Sequence, residues 1–351
     1  APQASILSAC ALAEGNLQTS LDWIFDQGGN VASISLTVEG SSQLSLADRV
    51  VDYVARNRNR FVVVATGNAG GFVGSPAKAY NVISVGGFLD NNSMTWNDHQ
   101  VWINSAFKNP ASNANDREKP EVVAVSEIIL SWPFPPFGTS YAAPQVAGLA
   151  ALLINVKNDL ITWPEVTKAI IMAAAVHNLE ESTFISPLRT TDLRDGAGGL
   201  VGILAHDVAR NRGTPGNWFP CTYSCWWGIE ANNDQVPVGG TTGGRILAKA
   251  GQRVRVVASW WVNATPSYHY ELETDFDLQI KKPDNTFMTG SSSTDNNYEM
   301  VDFIAPVTGL YRIEVKKYAA NENLNKVGIA ALVYDQRPYL ENKTFVPHIR
   351  K

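Results

Sequence analysis

Positive charge is in short supply in this sequence. Lys and Arg number 28 against 33 Asp and Glu, a formal charge of −5. A nucleic-acid binder usually carries a basic face, so no nucleic-acid partner is expected. No uninterrupted apolar run approaches membrane-spanning length, so no membrane partner is expected either. Ala1-Pro2-Gln3 lacks a basic stretch followed by an apolar core, so no signal peptide is legible; one already removed is compatible with this. Internal repeats and low-complexity tracts are lacking. Cysteine is sparse, with three residues, too few for a disulfide-built scaffold. Cys221 and Cys225 lie four apart with no His nearby and no second pair, which argues against zinc. A short-loop disulfide and two free thiols both remain open there. Cys10, flanked by Leu7, Ala9 and Ala11, is expected as a small buried apolar residue. Glycosylation triplets occur at Asn91, Asn263 and Asn342.

Hydrophobic residues at 45% and charged residues at 17% predict a sizeable core. The first two hundred or so residues alternate strand-like and helix-like stretches. Residues 17–27, 46–57, 142–154 and 163–175 carry helical spacing. Residues 31–36, 61–65 and 82–85 are strand-like, the middle one nearly continuous in β-branched residues. This predicts an α/β domain with a parallel sheet flanked by helices. Beyond residue 210 the helical period vanishes. Residues 211–240, rich in Gly, Pro, Asn and Trp, read as a connection. Residues 241–351 then show short alternating strands between turn signals such as Lys282-Pro283-Asp284-Asn285, which predicts a β-sandwich.

Gly138-Thr139-Ser140 stands before an apolar helix. Small neighbours and a helix N-terminus suit a serine nucleophile, although an ordinary helix cap has the same composition. Pro144 is expected in the first turn, where its missing N–H costs nothing. The run Gly138-Thr139-Ser140-Tyr141-Ala142-Ala143-Pro144 continues into Val146-Ala147-Gly148. It resembles the nucleophile motif of the subtilase family. Val63-Val64-Ala65-Thr66-Gly67-Asn68 is similar to that family's strand ending in Gly-Asn, and Ser75-Pro76-Ala77, Lys119-Pro120-Glu121-Val122, Pro164-Glu165 with Lys168, and Gly196-Ala197-Gly198 follow in family order.

The resemblance spans roughly residues 5–210, with 1–210 as the catalytic domain. It implies a serine endopeptidase acting on protein or peptide substrates outside the cytoplasm. Ser140 matches the nucleophile and Asn68 the oxyanion donor. Ser35, Leu36 and Thr37 match the substrate-binding strand, Ala65, Thr66 and Gly67 the neighbouring pocket wall, and Thr139 the residue beside the nucleophile. Thr37 stands where many relatives have Gly, and its side chain would narrow the pocket. No cofactor is required for the chemistry.

The family's Asp-[Ser/Thr]-Gly and His-Gly-Thr motifs do not occur. Residues 5–36 match the part of the fold after the His helix, so a segment of about a hundred residues carrying Asp and His is expected elsewhere. None of His99, read as a surface loop residue, His177 and His206, read as structural, or His269 and His348 sits in a motif suited to a base. A related family pairs Glu and Asp with its serine, but its oxyanion residue is Asp, which Asn68 does not match. A protease in two chains, a shortened chain, and an inactive binding or surface protein that kept Ser140 all account for this. The third is disfavoured because loss of core strands would expose a large apolar face, so a protease whose first segment lies elsewhere is preferred.

In the second region, Asp275-Phe276-Asp277-Leu278 and Thr308-Gly309-Leu310-Tyr311 resemble jelly-roll modules that follow secreted bacterial proteases. Asp275 and Asp277 alternate on one face. They are candidate structural calcium ligands with Asp284 or Glu299, or else a solvated acidic edge.

Overall fold

A computed structural model describes residues 1–335 except 11–13, 39, 94–97, 128–136, 176–193, 216–219, 233, 266, 268–269, 272–273 and 320–325. His177, His269, His348 and Asn342, all singled out above, lie outside the described residues.

The first region runs α1 (Glu14–Asp26), β1 (Val31–Ile34), α2 (Leu46–Arg58), β2 (Phe61–Ala65), β3 (Ile83–Leu89), β4 (Gln100–Val101), β5 (Val122–Val125), α3 (Thr139–Val156), α4 (Pro164–Ala174) and α5 (Gly202–Ala209). β1, β2, β3 and β5 pair in parallel, while β4 joins β3 antiparallel. Alternation along β2 feeds two cores. Phe61, Val63 and Ala65 pack toward α3 and α4, and Val62 and Val64 toward α1 and α2. Ser45 starts α2 with a capping box shared with Asp48, and Asn59 ends it in the left-handed region.

The second region contains β6 (Cys225–Glu230), β7 (Thr241–Ala248), β8 (Arg253–Trp260), β9 (Asn263–Ala264), β10 (Tyr270–Glu271), β11 (Asp275–Lys281), β12 (Phe287–Ser291), β13 (Tyr298–Ile304), β14 (Gly309–Ala319) and β15 (Lys326–Tyr334). Two four-stranded antiparallel sheets result, in the orders β12-β11-β14-β7 and β13-β8-β15-β6. Their facing residues share one apolar core. β6 falls in the stretch read as a connection. Its run Cys-Trp-Trp-Gly-Ile is buried throughout, so it lacks the alternation that marks a half-exposed strand.

The sheet β13-β8-β15-β6 is buried on both faces. Val327, Ile329 and Ala331 point into the sandwich, while Ala330, Leu332 and Tyr334 join the core around α4. Gly228 and Gly328 sit side by side across β6 and β15. A Cβ on Gly228 would lie 2.6 Å from the Trp163 ring, and one on Gly328 would lie 2.5 Å from the Glu165 carbonyl carbon. The glycine pair thus opens a slot for the start of α4. Glu165 enters it with 1% exposure, and neither carboxyl oxygen finds a hydrogen-bond partner in another described residue. Burial raises its carboxyl to about 7, against weaker opposition from its own backbone, Lys326 and Arg56.

Polar side chains seal the rest of this contact. Asn81 pairs with the Val262 backbone, accepting at 2.7 Å and donating at 2.8 Å. Asn297 donates to the carbonyls of Tyr80 at 2.8 Å and Trp260 at 2.7 Å. The Asp116 carboxylate accepts from the N–H groups of Thr294 and Asp295, each at 2.9 Å. Beneath them Glu121 is buried against Lys119 and Lys168, and it accepts from the Ser84 N–H at 2.7 Å. Burial alone would raise Glu121, but the two lysines outweigh it and hold the carboxyl at about 2.

Three readings change. Cys10 is exposed, because residues 1–10 contain neither helix nor strand and run along the surface, with Ile6 at 90% exposure. His99 is buried at 6%, its ring stacked on Phe88 at 5.4 Å, not on a surface loop. Pro144 lies in the second turn of α3, which begins at Thr139 and not at Ala142. Of the two options at Cys221 and Cys225, the disulfide is the one formed.

Candidate active site

The C-terminal ends of β1 and β2 and the N-terminus of α3 converge, the usual place for a site on an open parallel sheet. Gly138 precedes α3 without a side-chain cap of its own. Asn68, from the turn after β2, supplies one: its Oδ1 accepts from the Thr139 N–H at 2.9 Å. The Thr139 hydroxyl donates to the same oxygen at 2.9 Å and accepts from the Gly67 N–H at 3.1 Å. Two donors on one atom identify it as the amide oxygen. Asn68 Nδ2 carries no hydrogen bond among the described residues. Asn68 itself is exposed.

Ser140 is the second residue of α3 and half-buried. Its Oγ donates to the Ser35 carbonyl at 3.1 Å, and the Ser35 hydroxyl donates to the Ser140 carbonyl at 3.1 Å. Pro144 explains the second bond. Four residues on from Ser140, it has no N–H to give, so the Ser140 carbonyl lacks its helical donor and takes the Ser35 hydroxyl. Proline at this spacing was the readable signal; its partner was not, because Ser35 is 105 residues away.

Ser35 and Leu36 are exposed beyond β1, and Thr37 is half-buried. β1 pairs with β2 on one side, and no partner is described on the other. Ala65 and Thr66 are buried at the end of β2, and the Thr66 hydroxyl has no hydrogen-bond partner among the described residues. The Gly67 carbonyl accepts from the Ala106 N–H at 3.0 Å. Phe137, ahead of Gly138, is exposed and stacks on Trp102 at 6.3 Å. Neither His99 nor His206 bonds to Ser140. His99 Nε2 faces the Ser93 carbonyl at 3.1 Å, and His206 Nδ1 lies 3.5 Å from Asp207.

Asp275 and Asp277 lie far along the chain on β11, and the structure does not join them to this site. Burial raises Asp275 to about 6, helped by Asp277 and Asp116. Asp277 pairs in register with Lys316. Glu299 is engaged by Ser291 and by the Ser293 N–H, and the Asp284 carboxylate accepts from Thr286. Among the described residues no group of three or more His, Cys, Asp or Glu side chains is arranged to hold a metal ion. Nor is any described helix long and apolar enough to cross a membrane.

The chain is similar to several solved proteases. The prenylagaramide maturation protease PagA shares 20% identity over 57% of this chain and 70% of its own, with a TM-score of 0.42. The epidermin leader peptide processing serine protease EpiP from Staphylococcus aureus shares 16% over 60% and 57%, with a TM-score of 0.39. Tripeptidyl peptidase 2 shares 13% over 92% of this chain and 36% of its own, with a TM-score of 0.36. The family model described as the subtilase family (Peptidase S8) matches residues 1–198, more than half the chain. The chain belongs to the subtilase family.

Proposed function

We propose that this chain is the nucleophile-bearing part of a subtilisin-type serine endopeptidase that works outside the cytoplasm. One observation carries the reading: the Ser140 hydroxyl sits at the start of α3 beside an Asn68 amide whose oxygen is committed to Thr139, leaving its Nδ2 free to donate. Ser140 Oγ attacks the peptide carbonyl carbon, and the oxyanion that forms accepts from Asn68 Nδ2 and from the Ser140 N–H. An extended peptide lies along Ser35, Leu36 and Thr37 as an added strand. A His held by an Asp takes the serine proton and later returns it to the leaving amine. Those two residues come from a companion segment outside this chain. In this structure the Ser140 hydroxyl donates to the Ser35 carbonyl at 3.1 Å. The Cys221–Cys225 bridge supports an oxidising location.

A fluorophosphonate probe tests this on native material. Labelling at Ser140, together with a co-purifying chain that carries Asp and His motifs, is the expected result. A lone 38.2 kDa species that resists the probe overturns it. Asn68→Ala lowers the labelling rate about 100- to 1000-fold.

A further inference from the structure

A carbonyl carbon attacked by Ser140 lies beside its Oγ, with the oxygen turned toward Asn68 Nδ2. The side chain of the residue supplying that carbonyl branches one bond away. With residues 35–37 and 65–67 read as the substrate-binding walls, it enters the space between residues 35–37 and the end of β2. The Ser140–Ser35 and Gly67–Thr139 bonds, both 3.1 Å, anchor those two walls to the start of α3.

Thr37 meets two glycines there. Gly67 has φ +105°, and a Cβ on it would lie 3.2 Å from Thr37 Oγ1. A Cβ on Gly74 would lie 3.0 Å from Thr37 Cβ and 3.0 Å from the Val38 carbonyl oxygen. The Thr37 side chain thus rests on the backbone of both glycines and takes up the room they leave. The walls are held against spreading. Val38 and Ser75 exchange backbone bonds of 2.8 and 3.1 Å, and the Gly74 N–H donates to the Thr66 carbonyl at 2.8 Å. A β-branched side chain also has few alternative rotamers with which to swing aside.

We infer that Thr37 closes the recess for the residue preceding the scissile bond, so that the site takes peptides with glycine or alanine there and rejects large apolar or aromatic side chains. The inference rests on the reading of Ser140 as nucleophile and adds the substrate class. Discrimination by one or a few carbons in such a recess is worth about 10- to 200-fold.

Peptide boronic acids that differ only in their last residue, Ala or Phe, test it by calorimetry on the native protein together with the companion segment that supplies His and Asp. Wild type is expected to bind the Ala peptide at least ~10-fold more tightly. In Thr37→Gly the preference falls to near unity or inverts, and Thr37→Ser, which keeps the hydroxyl and loses the methyl, lies between. Equal binding of both peptides by wild type, or a preference unchanged in Thr37→Gly and Thr37→Ser, overturns the inference alone. Binding undiminished in Ser140→Ala, or no binding by any variant, overturns the nucleophile reading and this inference with it.

Discussion

The parallel sheet of the first region and the sheet β13-β8-β15-β6 of the second are both buried on two faces, but by different means. Helices cover the parallel sheet, and its strand ends stay open for loops. The second sheet is covered by its own sandwich partner on one side and by α4 on the other. The first arrangement leaves one end available for chemistry. The second leaves no free face, so these strands act as a wall of the first region rather than as an appended module. The shared wall contains buried ionisable groups, Glu165, Glu121 and Lys168, whereas the site end contains hydroxyls and an amide.

The comparison breaks most directly if the regions separate. A chain ending at residue 210 is expected to lose cooperative unfolding, because α4, Lys168 and the Asn81 amide would face water. A folded monomer, seen by thermal melting and sedimentation, would show that the wall is dispensable. Gly328→Ala is the next largest effect, about 3 kcal/mol of lost stability, since the added methyl meets the α4 backbone. Denaturant titration measures it, and a loss under ~0.5 kcal/mol would mean the slot can widen.

Glu165 sharpens the contrast through pH. Its folded value, raised by burial to about 7 from 4.5, means the folded state holds a proton that the unfolded state releases. The contribution is fully present below about pH 4.5 and is lost as pH rises through 7. Relative to Glu165→Gln, wild type should therefore lose up to ~3 kcal/mol across that window. Parallel stability profiles for the two proteins would refute this. The smallest effect is expected at Asp277, on the outer face beside Lys316. Asp277→Asn should change stability by less than ~0.5 kcal/mol, equally with calcium and with chelator. A loss seen only with calcium would restore the cation reading of Asp275 and Asp277.

Much of the first region was legible because local rules agree there. The β-branched run 61–65 is β2 to the residue, and the helical spacings at 46–57 and 163–175 match α2 and α4 to within a residue at each end. β6 was not legible, since a strand buried on both sides loses the alternation used to find one. Cys10 and His99 were misplaced because neighbouring residue types say nothing of what covers a side chain. At the site, Ser140 and Asn68 were readable as motif positions, but the Asn68 cap on α3 joins residues 71 apart.

The sequence by itself determined the alternation of strands and helices in the first region and the identity of the residues at the start of α3, because periodicity and short turns are local. Only the tertiary structure decided which partners those residues meet. Pro144 withholds a donor locally, yet Ser35 supplies the replacement only once β1 lies beside α3. Gly328 is one more glycine in a strand until α4 packs on it, and Thr37 is one more threonine until Gly67 and Gly74 leave the space it fills. Each depends on contacts between distant segments, which chain folding creates and which no local pattern encodes.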